Sequence, residues 1–153
     1  MHEGLTMTAH GNPDAGAYPV WDARLETGVA TLDLQHRVLF EMVRRTREAD
    51  AGALGLSLGD LLQQLRAYAD YHFRYEEDWV RRHARHALDD FSHAHLHAEF
   101  AQQLDQLEAR LQQGALELVA VRDFLQDWLG THILRQDLPM VRALLQPTPP
   151  APG

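Results

Sequence analysis

Histidine is the unusual residue of this sequence, since the 153-residue chain has ten histidines and no cysteine. Imidazole can act as a general base, carry a proton or bind a metal ion. Five histidines and one glutamate recur among apolar residues at spacings of three and four, which place side chains on one helix face. These residues are His36, His72, Glu76, His93, His97 and His132. The face concerned is the apolar one, so the pattern predicts imidazoles and a carboxylate in the core.

A metal ion is the partner that best explains such a core. An unpartnered buried carboxylate or imidazole is costly, and a cation takes up the lone pairs and balances the charge. A single core histidine is more often a hydrogen-bonded structural residue than a ligand. Five of them from four separate segments, together with a glutamate, indicate a metal centre instead.

Helical periodicity predicts the elements that must position these residues. We expect four helices at about 31–50, 57–85, 90–113 and 116–137, with a short last helix to about 145 beyond Pro139. Thr27 or Thr31 opens the first helix, and Ser57 with Asp60 forms a capping signal for the second. Short connections make neighbouring helices antiparallel, so we predict an all-α, up-down-up-down four-helix bundle.

The predicted bundle brings the polar residues to one level. His36 comes early in its helix, His72 and Glu76 late, His93 and His97 early, and His132 late. In an antiparallel bundle these four positions form one layer near one end.

His95 and Glu99 imitate the spacing of His72 and Glu76. His95 lies about 200° around the helix from His93 and His97, so only one of these registers can face inward. The register of His93 and His97 continues into phenylalanine and leucine, whereas that of His95 continues into glutamines. We therefore predict that His95 faces solvent. The remaining histidines fit solvated positions: His2, His10, His83 and His86.

Composition narrows the function classes. The chain is 45% hydrophobic and 24% charged with a net charge of -8, typical of one globular domain without a nucleic-acid or anionic-membrane partner. Without cysteine or lysine it has no thiolate site and no Schiff-base chemistry. With no signal peptide or membrane span predicted, we expect a cytoplasmic protein without membrane insertion. We divide it into a flexible N-terminal arm (1–19), the bundle (20–146) and a disordered proline-rich tail (147–153).

Four segments resemble the hemerythrin family, most closely its single-domain bacterial members: WDARLETGVATLDLQH (21–36), HFRYEE (72–77), HAHLHAEF (93–100) and HILRQD (132–137). The resemblance implies two non-haem iron ions (Fe2+/Fe3+) with a bridging oxide or hydroxide. His93, His97 and His132 would bind one iron, and His36 and His72 the other. Glu76 and Asp137 would bridge them.

Asp137 is identified as a candidate ligand only through the resemblance. It lies five residues after His132, so a regular helix would turn it away from the layer. The helix must widen locally, or end just before Pro139, to bring it back. The chain also departs from the family pattern after this aspartate, where it has Leu138-Pro139-Met140.

The resemblance implies reversible dioxygen binding by an oxygen carrier, store or delivery protein, without enzymatic activity. The implied oxygen pocket consists of Leu39, Phe73, Trp128 and Leu129. Alternatives are a sensor of oxygen, redox state or nitric oxide acting through a signalling partner, a peroxidase or nitric-oxide-handling enzyme, and a zinc site. Seven ligands are too many for one tetrahedral zinc. An oxygen-using enzyme is the partner for the delivery role, and the oligomeric state is open.

Overall fold

A computed structural model describes residues 21–48, 57–84 and 87–147 of the chain. Four long helices are present: α1 (Ala30–Glu48), α2 (Leu58–His83), α3 (Ala87–Gln112) and α4 (Leu118–His132). A π-helical segment, Ile133–Asp137, continues α4 into the short helix α5 (Leu138–Leu145), and a 3-10 turn, Ala23–Leu25, precedes α1. The described ranges contain no β-strand.

The helices form the predicted antiparallel bundle. His36 in the first half of α1 lies beside His72 in the second half of α2, with ring centroids 4.9 Å apart. His97 in the first half of α3 lies beside His132 at the end of α4, also at 4.9 Å. The predicted all-α bundle is confirmed, because neighbouring helices run in opposite directions.

Local hydrogen bonds explain where α1 and α2 begin. Thr27 accepts a hydrogen bond from the Val29 amide at 3.1 Å and donates its hydroxyl to Asp33 at 2.7 Å. Ser57 accepts from the Asp60 amide, and the Asp60 carboxylate accepts from the Ser57 amide, which completes a capping box. Each bond satisfies groups that a helix end leaves without a backbone partner.

Two predicted boundaries are wrong. Residues 86–90 were expected to form a loop, but α3 already begins at Ala87, and this stretch contains neither glycine nor proline to stop a helix. The helix predicted over 116–137 is α4 up to His132 and the π segment beyond it. Pro139 does not interrupt the pattern, because it lies in the first turn of α5, where a missing amide donor costs little.

Several predictions fall outside the described residues. They concern the arm over 1–19, the loop marked by Gly52 and Gly55, the last two residues of the first predicted helix, and all of the predicted tail except Pro147.

The core consists of two apolar clusters. The larger includes Leu39 of α1, Phe73 of α2 and Ile133, while the smaller consists of Leu32, Trp79, Val80 and Val141. In α1, His36 lies between Leu32 and Leu39, and in α2, His72 and Glu76 lie between Leu65 and Val80. The polar layer is therefore enclosed by hydrocarbon on both sides along the bundle axis. No helix of the described residues is long and apolar enough to cross a membrane.

Candidate metal centre

The bundle brings five histidines and two acids together in one buried layer. None of the seven has more than 4% of its surface exposed, and four of them have none. They come from the first halves of α1 and α3, the second half of α2, the end of α4 and the π segment: His36, His72, Glu76, His93, His97, His132 and Asp137. Burial of so many ionisable groups in one layer requires a compensating partner.

Three histidines form a set around Glu76. Its Oε2 atom lies 2.7 Å from His93 Nε2, 3.3 Å from His97 Nε2 and 3.9 Å from His132 Nε2. One ligand atom from each of these four residues falls within 4.8 Å of the others, close enough to hold one metal ion.

A second set contains His36, His72, Asp137 and again Glu76, with ligand atoms within 4.8 Å of one another. Asp137 Oδ2 lies 3.3 Å from His36 Nε2 and 3.9 Å from His72 Nε2. Glu76 Oε2 lies 3.6 Å from His72 Nε2. The two sets thus share one carboxylate, that of Glu76.

Asp137 faces both sets through its two oxygens. While Oδ2 faces His36 and His72, Oδ1 lies 3.1 Å from His132 Nε2 and 3.4 Å from His93 Nε2. The π segment makes this possible, since the Leu138 amide donates to the Ile133 carbonyl five residues earlier. A wider turn brings a residue at spacing five onto the side of His132. The structure therefore contains the local widening that Asp137 requires.

Outer hydrogen bonds orient three of the imidazoles, and the sequence alone did not reveal their partners. His72 Nδ1 lies 2.9 Å from Gln35 Oε1, His97 Nδ1 2.7 Å from Glu77 Oε1, and His132 Nδ1 3.3 Å from Gln136 Oε1. Because these oxygens accept a hydrogen bond from Nδ1, the proton of each neutral ring stays on Nδ1. The lone pair of Nε2 then faces the centre. Each partner is the sequence neighbour of a site residue, which is the signal that could have found it.

Burial keeps most of these imidazoles neutral. It lowers the pKa of His72 to about 3, against the opposing charge of Glu76. It likewise lowers the pKa of His36 and His132, again opposed by Glu76. For His93, burial is outweighed by the hydrogen bond and charge of Glu76, so its pKa is raised. Neutral imidazole is the form that binds a metal ion.

The pKa values of the two carboxyl groups in the layer are shifted in opposite directions. Burial favours the neutral form of Glu76, but the close nitrogens of His93 and His97 and the charge of His72 outweigh it, so its pKa lies well below the usual range. Burial and then the charge of Glu76 raise the pKa of Asp137 well above the usual range. Cations next to both groups would oppose the effects of burial and of the Glu76 charge that raise the pKa of Asp137.

Unsatisfied polar atoms show that the residues fit a metal. His36 Nδ1 and Nε2, His72 Nε2, Glu76 Oε1 and both oxygens of Asp137 are buried without a hydrogen-bond partner. Buried polar atoms are nearly always paired in native proteins. All these atoms belong to residues of the two candidate sets. Among them, His36 Nδ1 is on the side of its ring that faces away from the centre. Imidazole and carboxylate together suit a first-row transition metal such as iron.

Aromatic rings border the centre on the side of the larger cluster. Phe73 stacks on His97 at 3.8 Å between centroids, and Trp128 stacks on His132 at 4.6 Å. Leu39 and Leu129 are buried in the same cluster, whereas Trp128 is partly exposed. A cleft of about 260 Å³ between α3 and α4 reaches His132 and is lined there by Trp128. The role of these four residues as an oxygen pocket stays a prediction.

His95 lies outside the centre. Its side chain is 67% exposed and its Nε2 lies 3.3 Å from Glu99 Oε1 on the same helix. His83 is exposed as well and stacks on Trp79 at 4.1 Å. His2, His10 and His86 fall outside the described residues.

Comparison with known proteins agrees with this geometry. Residues 27–144 match the hemerythrin HHE cation binding domain. The chain is 28% identical to a bacteriohemerythrin of Pseudomonas aeruginosa over 130 residues, which cover 84% of this chain and 82% of the relative. It is 28% identical to a bacteriohemerythrin of Stenotrophomonas maltophilia over 120 residues (77% of this chain, 76% of the relative). It is 27% identical to a bacteriohemerythrin of Clostridium acetobutylicum over 125 residues, which cover 77% of this chain and 95% of the relative.

No solved structure matches the chain significantly. The domain match nevertheless spans most of the bundle, from before the start of α1 into α5, and includes all seven residues of the buried layer. The chain belongs to the hemerythrin HHE cation-binding family.

Proposed function

We propose that this chain binds dioxygen reversibly at a non-haem di-iron centre. The observation that carries the proposal is the pair of overlapping ligand sets, which share Glu76 and contain buried atoms without hydrogen-bond partners. The names of the relatives support it, since all three are bacteriohemerythrins. The chemistry that a bound pair of ferrous ions supplies is the reversible two-electron reduction of dioxygen.

The donor count gives the two sets different roles. His93, His97 and His132 would hold one iron, and His36 and His72 the other, with Glu76 and Asp137 bridging them and a solvent-derived oxide or hydroxide as third bridge. The second set has one imidazole fewer, so the iron held there would have room for a small ligand. Five imidazole donors and only two carboxylates would supply little negative charge, which disfavours highly oxidised iron and favours binding over oxygenation.

The surrounding side chains would exclude water. Phe73 covers one face of His97, and Trp128 covers His132 where the cleft between α3 and α4 reaches it. Leu39 and Leu129 complete the apolar side of the layer, being 1% and 0% exposed. A dry environment slows the proton transfer that makes oxidation irreversible, so these residues would serve reversibility.

An optical spectrum of iron-loaded protein tests the proposal. The protein is reconstituted with ferrous iron without air, its iron content is measured, and spectra are taken before air, after air and after degassing. We expect two irons per chain and a visible band that appears with air and disappears on degassing. A direct change to a stable oxidised spectrum would contradict reversible binding. Turnover of peroxide or nitric oxide well above that of free iron would favour an enzyme using the same centre.

A further inference from the structure

Glu77 is a charged residue in contact with the buried layer that the proposed iron centre does not use as a ligand. Its Oε1 lies 2.7 Å from His97 Nδ1, and its side chain is 29% exposed, whereas that of His97 is 4% exposed. Glu77 follows Glu76 in α2, so adjacent acids reach the two nitrogens of one imidazole. Glu76 Oε2 lies 3.3 Å from Nε2 of the same ring.

The His97 ring is held on three sides. Phe73 stacks on its face with an interplanar angle of 12°, and Glu77 accepts from Nδ1. Its Nε2 lies 3.2 Å from His132 Nε2, inside the three-histidine set. With the Nδ1 proton engaged by Glu77, the ring has the tautomer whose Nε2 lone pair faces the centre.

The acceptors on the other oriented imidazoles are uncharged. His72 and His132 use the side-chain amides of Gln35 and Gln136 at 2.9 and 3.3 Å. Among the hydrogen bonds of the described residues, Glu77 is the one carboxylate that accepts from an outward-facing nitrogen of the layer. A charge-assisted bond is shorter and about twice as strong as a neutral one, and a carboxylate acceptor makes imidazole a better donor to a metal.

We propose that Glu77 is a positioning residue that tunes the three-histidine half of the centre. By accepting from His97 it fixes the ring, and its negative charge strengthens cation binding at that half and favours the ferric over the ferrous ion there. The inference rests on the proposed function for the identity of the metal. The expected asymmetry between the two ions comes from this chain's own hydrogen bonds: one carboxylate on one side and neutral amides elsewhere.

Glu77→Gln tests the proposal in the full chain. The amide oxygen can still accept from Nδ1, so the shape is kept and the charge is removed. Glu99→Gln is the matched control, because it removes the same charge from an exposed residue whose partner is His95. The first readout is Co2+ binding by competition titration, and the second is the ferric/ferrous midpoint potential of the iron-loaded protein. Thermal unfolding checks that all chains are folded.

We expect Glu77→Gln to weaken one of the two Co2+ binding steps by about 10- to 100-fold, while Glu99→Gln behaves as wild type. The midpoint potential of one iron should rise, and a tenfold change in that equilibrium corresponds to about 59 mV for one electron. Equal behaviour of the two variants, or equal weakening of both steps, would overturn the role of Glu77. A wild-type chain that takes up fewer than two Co2+ ions would overturn the di-metal centre as well.

Discussion

At the scale of single residues, the shared carboxylate of Glu76 organises the buried layer. Its Oε2 atom is within 4 Å of four imidazole nitrogens from α2, α3 and α4, while its Oε1 has no hydrogen-bond partner. Among the residues that the structure describes, no other side chain belongs to both candidate sets, although Asp137 also faces both. Removing this residue should therefore affect both proposed ions, whereas removing a histidine affects one set directly.

We predict that Glu76→Ala loses nearly all bound iron, whereas His95→Ala keeps two irons per chain. The first change removes a carboxylate from both sets and leaves His93 without its 2.7 Å partner, at a cost of about 1–3 kcal/mol in the metal-free protein. The second removes an exposed side chain. Metal analysis after reconstitution and a thermal melt check both variants. Iron loss in His95→Ala would show that the assigned helix register is wrong.

At the scale of elements, the join between α4 and α5 is the unusual feature. A regular helix through residues 132–139 would place Asp137 about 140° away from His132. The π segment Ile133–Asp137 reduces this difference, because its wider turn rotates less per residue. Pro139 favours it, because a proline ring clashes with the carbonyl four residues earlier in a regular helix and has no amide to donate. The departure from the family pattern at residues 138–140 thus supports the position of Asp137.

We predict that Pro139→Ala weakens metal binding several-fold without unfolding the bundle. Alanine makes the regular helix accessible, and that helix turns Asp137 away from the centre. Co2+ titration measures the affinity, and far-UV circular dichroism of the metal-free protein measures helix content, which should stay equal or rise. Unchanged affinity together with unchanged helix content would mean that Pro139 does not control the π segment. Met140→Ala, one residue further along, is the matched control.

At the scale of the molecule, the buried layer contains residues of all four long helices and of the π segment. It lies between the two apolar clusters. In the metal-free protein this layer contains buried polar atoms without hydrogen-bond partners. It also contains two carboxyl groups whose pKa values are shifted, that of Glu76 downwards and that of Asp137 upwards. Bound cations would turn this layer into a cross-link between all four long helices. Metal binding should therefore stabilise the whole fold.

We expect iron or Co2+ to raise the melting temperature and a chelator to reverse the rise. An ion at 100 times its dissociation constant contributes about 2.7 kcal/mol, which corresponds to roughly 5–10 °C for a domain of this size. Differential scanning calorimetry with and without metal measures the shift. Glu76→Ala is the control and should show almost none. An equal shift in that variant would place the stabilising metal elsewhere.

The bundle and most of the buried layer could be predicted from the sequence. Spacings of three and four along one helix depend only on local geometry, so five histidines and Glu76 were assigned inward and His95 outward without tertiary information. The convergence at one level followed from antiparallel connections. The start of α3 was missed because its residues lack a clear stop or start signal.

Tertiary structure decided the features that depend on distances between helices. The contacts of Gln35 with His72 and of Glu77 with His97 each join two helices, and periodicity along one helix does not specify such a pair. Asp137 reaches the layer because the helix changes pitch in the π segment. Its spacing of five from His132 shows that such a change is needed, but the spacing alone does not cause it. The sequence by itself determined which helix faces are buried and six of the seven side chains that form the layer, because periodicity is local. The packed bundle decided how those side chains are oriented and charged, because hydrogen bonding and burial depend on what lies across the helix interfaces.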